Sequence, residues 1–146
     1  MANPRCYSVI VFVFCCCLAT HTWGQVSATK STPVITRTIT PLSDHHYDVV
    51  ITITATGISG FAKYTETLPD SAQVKVTEPQ NASTNKVGNQ LKFIWTSFPQ
   101  ESIISLHYVL TLSGRFDARY KGVLRFVSDT RVTEVGLKEE GVSIGK

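Results

Sequence analysis

Beyond its first 17 residues the chain has no cysteine: the four present stand at positions 6, 15, 16 and 17. Whatever folds after them has no disulfide, no thiolate nucleophile and no cysteine-bound zinc. The only methionine is Met1. No segment carries apolar residues at helical spacing over any length, so a helical bundle or a doubly wound α/β fold is excluded. Only one long apolar run exists, Val9 to Leu18, and it is too short to span a membrane, which takes roughly 20 residues. Neither sign of charge dominates.

What the sequence does contain begins with that run. Arg5 precedes it, and the small residues Thr22 and Gly24 follow it at the spacing of a cleavage site, so residues 1–24 read as a secretory signal. Cleavage after Gly24 would leave 122 of the 146 residues and lower the formal net charge from +3 to +2 by removing Arg5. A charge so near balance argues against nucleic acid or an anionic membrane as partner. Lipid attachment at Cys15, Cys16 or Cys17 wants a small residue just ahead, whereas Phe14, Cys15 and Cys16 stand there; lipid anchoring is not expected. Export without disulfides suits a bacterial protein of the periplasm or cell surface, and Asn81-Ala82-Ser83 then reads as a chance sequon.

Residues 25–33 (QVSATKSTP) form a polar leader, and from Val34 onward the pattern has period two. Ile35, Arg37 and Ile39 alternate with threonines until Pro41. Tyr47, Val49, Ile51, Ile53 and Ala55 share one face of the next strand. Phe61 to Glu66 reads as a third strand, ended by Leu68-Pro69, because proline lacks a donor and belongs at strand ends. Val74 and Val76 mark a short strand, and Pro79 to Gly88 is a polar connection with room for a hairpin. Leu91, Phe93 and Trp95 then line one face, as do Ile104, Leu106, Tyr108, Leu110 and Leu112. Gly122 to Val127 and Arg131 to Val135 close the series, and residues 138–146 form a polar tail. About seven or eight short strands at this spacing predict an all-β, two-sheet antiparallel sandwich over residues 34–137, with an up-and-down barrel as the alternative.

Catalytic constellations are scarce. His45 and His46 are neighbours, but adjacent strand residues point to opposite faces, so Asp44-His45-His46 reads as a solvated turn and no metal is expected. No serine lies in a G-x-S-x-G elbow. Glu66 and Asp70 are an acid pair only in the sense that any two acids are, and Glu66 is expected to accept backbone hydrogen bonds near its strand end. No cofactor and no enzymatic activity are expected. The segment SGRFDARYKG gives one candidate interface: Arg115, Arg119 and Lys121 interleave with Phe116 and Tyr120. Aromatics and arginine are favoured at interface hot spots, although cations that reach into water beside a capping aromatic would look the same. Trp95 and Tyr108 are expected in the core, with the indole N–H needing a partner.

The order Ile51-Thr-Ile-Thr-Ala-Thr-Gly57, Phe61-Ala-Lys-Tyr-Thr-Glu-Thr-Leu-Pro69, then Leu-Lys-Phe-Ile-Trp95 and Ser105-Leu-His-Tyr-Val-Leu-Thr-Leu112 resembles the immunoglobulin-like conserved-repeat domains of bacterial cell-surface and exported proteins. The likeness runs from about Tyr47 to Leu112. Ala55 departs from it where those domains carry asparagine, and Ser71 where they carry glycine. The resemblance implies an immunoglobulin-like sandwich and a non-enzymatic structural or interaction module, here an accessory subunit of an envelope or surface assembly. An exposed edge at Val34 to Thr40, beside the leader, is the expected docking edge for a protein partner. A carbohydrate- or small-ligand-binding sandwich is the alternative.

Overall fold

A computed structural model describes residues 32–101, 103–113, 120–128 and 130–138, and the backbone of 142–144. The expected signal and most of the leader lie outside these residues.

Among the described residues ten strands follow one another: β1 (Val34–Ser43), β2 (His46–Thr54), β3 (Ala62–Thr67), β4 (Gln73–Glu78), β5 (Ser83–Val87), β6 (Gln90–Trp95), β7 (Ile103–Thr111), β8 (Gly122–Ser128), β9 (Arg131–Gly136) and β10 (Val142–Ile144). They form two five-stranded sheets, β10-β1-β2-β7-β4 and β5-β6-β3-β8-β9. Every pairing is antiparallel except that of β10, which runs parallel to β1. The expected all-β sandwich is what forms, with two more strands than the apolar pattern shows.

Period-two alternation supplies the core directly, since successive strand residues face opposite ways. In the first sheet Ile35 lies across from Ile53, and Ile53 from Ile104; one turn of the pleat further, Ile51 lies across from Leu106. In the second sheet Phe93, Tyr64 and Leu124 make one cross-strand row, and Trp95, Ala62 and Phe126 the next. All of these are buried, and each sheet hides its apolar face against the other.

Trp95 is held on two sides. Phe98 meets it edge-on at 5.2 Å between ring centroids, and its indole nitrogen donates to the carbonyl of Gln80 at 2.9 Å. That carbonyl comes from a tight turn in which Gln80 and Asn81 both adopt positive φ. The β5–β6 hairpin closes through Gly88-Asn89, with Gly88 at φ 57, a conformation that favours glycine in a two-residue hairpin.

Three expectations about the strands need correction. Pro41 does not end the first strand: β1 continues to Ser43, with an irregularity between Pro41 and Ser43, a place where a residue without an N–H is tolerated. The Val34 to Thr40 edge is not open throughout, because β10 pairs with Arg37, Thr38 and Ile39. The tail from residue 138 therefore contributes a strand to the first sheet. Among the described residues no helix is long and apolar enough to cross a membrane.

Candidate functional site

The two charged residues that the alternation places inward, Arg37 of β1 and Glu66 of β3, meet inside the sandwich. Both are buried, at 1% and 0% exposure. An Arg37 Nη1 hydrogen donates to Glu66 Oε1, and the Tyr64 hydroxyl donates to Glu66 Oε2. Tyr108 of β7 also hydrogen-bonds the carboxyl group. The other guanidinium nitrogen, Nη2, reaches the carbonyl of Tyr120 at 2.9 Å, and the Tyr120 ring lies 6.0 Å from the guanidinium carbon. The expectation that Glu66 serves backbone donors is thus corrected: it serves three side chains and ties the two sheets together.

Burial sets the electrostatics of this cluster. It pushes the Glu66 carboxyl above its ordinary range, opposed by the guanidinium charge and the three hydrogen bonds. Burial, and next the charge of Glu66, push the Tyr64 and Tyr108 hydroxyls well above theirs. Gly122 completes the enclosure. A Cβ there would overlap the Tyr64 hydroxyl and stand 3.0 Å from Glu66 Oε2, so only glycine lets β8 approach so closely. Zero exposure closes both Tyr64 and Glu66 to any substrate from outside.

The remaining sequence candidates are dispersed. Asp70 is exposed at a turn, separate from the buried Glu66. His45 and His46 are exposed, and the latter's Nδ1 lies 3.0 Å from Ser43 Oγ. His107 stands on the outer face of β7, 3.8 Å from Glu78. Among the described residues no three metal-ligating side chains come together. Of the proposed interface patch, Arg115, Phe116 and Arg119 lie outside the described residues. Tyr120 is half-buried against Arg37, and Lys121 is exposed while its carbonyl accepts from Thr67 N at 2.8 Å.

A feature that the sequence reading missed lies at the end where β1, β3, β7 and β9 begin. Of the seven large hydrophobic side chains left exposed among the described residues, five sit there: Val34, Phe61, Ile103, Val127 and Val132. Val34 and Ile103 flank Thr54 on the outer face of the first sheet. Phe61, Val127 and Val132 form a row on the outer face of the second, for Val127 pairs with Val132 and donates to the Phe61 carbonyl at 3.4 Å. Between the sheets opens a cavity of about 150 Å³, lined by Pro33, Ile58, Phe126 and Thr133 among others. The outward phase of these five residues was readable, but only the fold shows that they share an end.

No protein-family model and no curated protein sequence matches the chain. Solved structures do resemble it. An inactive mutant of the GH20 exo-β-N-acetylglucosaminidase from Vibrio harveyi aligns at 8% identity with a TM-score of 0.57, over 80% of this chain and 19% of that one. The same enzyme in complex with N-acetylglucosamine gives 10% identity and 0.52 over the same shares. A non-cellulosomal cohesin from the hyperthermophilic archaeon Archaeoglobus fulgidus gives 17% identity and 0.40, over 78% of this chain and 86% of that one. The present chain thus corresponds to about a fifth of the Vibrio enzyme, and at these identities the likeness to it concerns the fold alone, a two-sheet β-sandwich.

Proposed function

We propose that this protein is an exported, non-enzymatic interaction module, an accessory subunit that docks on a partner protein in a bacterial envelope or surface assembly. The observation that carries the reading is the gathering of exposed aliphatic and aromatic side chains around one end of the sandwich. Apolar surface grouped as in the Phe61–Val127–Val132 row marks an interaction site more often than single exposed residues do. The buried polar cluster supports the same reading from the other direction, since its groups hold the sheets together and do not open onto a cleft. Export rests on the signal-like residues 1–24, and the proposed likeness to immunoglobulin-like surface repeats rests on the strand motifs from Tyr47 to Leu112.

Crosslinking in the native envelope followed by mass spectrometry tests the reading. The wild-type chain should enrich a specific protein, and Phe61→Ser with Val132→Ser should lose it. Enrichment of nothing over background would contradict the proposal. Saturable binding to a glycan array, with no protein captured, would favour a carbohydrate-binding sandwich instead.

A further inference from the structure

The outer face of the second sheet carries a row of charge next to the apolar row Phe61–Val127–Val132. Two residues from each of these, further into the sheet, stand Lys63, Arg125 and Glu134, on the same face because strand side chains alternate. The register sets them side by side: Lys63 lies opposite Arg125, and Arg125 opposite Glu134. On its other flank Lys63 lies opposite Ile94 of β6. Lys92, two residues before Ile94, is therefore its diagonal neighbour, at roughly 7–8 Å for such a pair.

These charges do not balance. Arg125 is taken up by Glu134, whose Oε2 accepts from its Nε at 2.7 Å. Lys63 faces Arg125 as a like charge directly across the strands, which is unfavourable by itself. Among the described residues neither Lys63 nor Lys92 has an acidic partner. The outer face of the first sheet has the opposite balance, with Asp48 and Glu78 set against Lys75. Unmatched positive charge thus lies on the same face as the apolar row and continues it inward.

We propose, building on the docking reading above, that the partner of this surface is an acidic protein segment. It seats an aliphatic or aromatic side chain on the Phe61–Val127–Val132 row and sets carboxylates against Lys63 and Lys92. A carboxylate on Lys63 relieves its opposition to Arg125. Complementary charge of this kind fixes register and excludes wrong partners more than it adds affinity. The apolar row selects protein over an acidic polysaccharide. Val127 and Val132 offer only aliphatic surface, and sugar hydroxyls laid there would lose water without gaining a hydrogen-bond partner.

Carbodiimide, which joins an amine to a carboxylate in direct contact, tests this on the full chain in the native envelope. A parallel sample carries a benzophenone amino acid in place of Phe61 and reports docking whatever the partner's charge. The expected result is photo-capture of one protein at residue 61, with amide links from Lys63 or Lys92 to Asp or Glu of that same protein. Lys63→Glu with Lys92→Glu should lower the photo-product at least about tenfold, because like charges then meet, while Lys75→Glu on the other sheet leaves it unchanged. Reversal at position 63 places opposite charges across from each other at 63 and 125, so the loss is not one of folding. Photo-capture without the amide links, or with a yield indifferent to the double reversal, overturns the acidic partner and leaves the docking reading standing. Lysine links to a uronic-acid polysaccharide alone overturn it in favour of a glycan. No product by either route contradicts the docking reading and the acidic partner together.

Discussion

The two ends of the sandwich handle polarity in opposite ways. Where β3 finishes and β8 begins, charge is inside: Arg37 and Glu66 lie buried between the sheets, tied to Tyr64, Tyr108 and the Tyr120 carbonyl. Where β1 and β9 begin, apolar groups are outside, with only a small cavity between the sheets. The first arrangement is costly to build and costly to break, because a buried ion left without its partner keeps its desolvation penalty. The second costs little in stability, because an exposed valine forgoes burial without leaving a polar group unsatisfied. The polar end thus serves the fold, whereas the apolar end leaves surface chemistry free for the proposed docking.

Breaking the polar end should give the largest effect. Arg37→Met should lower unfolding free energy by about 3–5 kcal/mol, the range for stranding one member of a buried pair. Adding Glu66→Leu should recover most of that loss, since a buried pair replaced by apolar side chains is often neutral. Urea unfolding of the single and double variants measures both. Losses that simply add would show that Arg37 and Glu66 are not coupled.

The core beneath the apolar end gives a loss of similar size by a different route. Trp95→Ala removes a fully buried ring and its bond to Gln80, and should cost about 3–5 kcal/mol. Here no second substitution should rescue the loss as Glu66→Leu rescues Arg37→Met, because the deficit is a cavity and not a stranded charge. Gly122→Ala should cost about 1–3 kcal/mol by overpacking against Tyr64, read as a lower urea midpoint. An unchanged midpoint would mean that β8 does not press on the cluster.

A smaller effect depends on pH. Tyr64 and Tyr108 keep their protons above the ordinary tyrosine value of 10.0 in the folded state. Their contribution to stability is therefore fully present below about 10 and is lost as pH rises through their raised folded values, because the unfolded chain releases those protons first. Ultraviolet absorbance titration should show two tyrosines ionising late, together with or after unfolding. If all the tyrosines ionise together near 10 in the folded protein, the two hydroxyls are not enclosed as described.

Much of this was legible in the sequence, and the illegible parts have physical reasons. Alternation placed Val49, Ile51, Ile53, Leu91, Phe93, Trp95, Ile104 and Leu106 on inner faces, because a buried sheet face leaves a period of two. The same parity put Arg37 between Ile35 and Ile39, and Glu66 in phase with Tyr64. That two charges stand at inward positions was therefore visible, but their pairing depends on how one sheet lies over the other. β5 was not legible as a strand, since Ser83–Val87 is exposed throughout and exists by pairing with β6. β10 is three residues whose pairing with β1 is a long-range event without local signal. The apolar end was hidden for a related reason: Phe61, Val127 and Val132 are isolated outward residues until β3, β8 and β9 are set side by side.

The most direct test sets the two ends against each other by partner capture. Phe61→Ser with Val132→Ser alters the apolar end, while Leu42→Ser with Val87→Ser alters the two exposed aliphatic residues at the other. Each exposed substitution should change stability by no more than about 0.5 kcal/mol, so both double variants remain folded. In the native envelope, crosslinking should lose its specific protein product in the first variant and keep it in the second. Equal yields from both, or a loss confined to the Leu42 and Val87 variant, would contradict the assignment of the docking surface to the end where β1 and β9 begin.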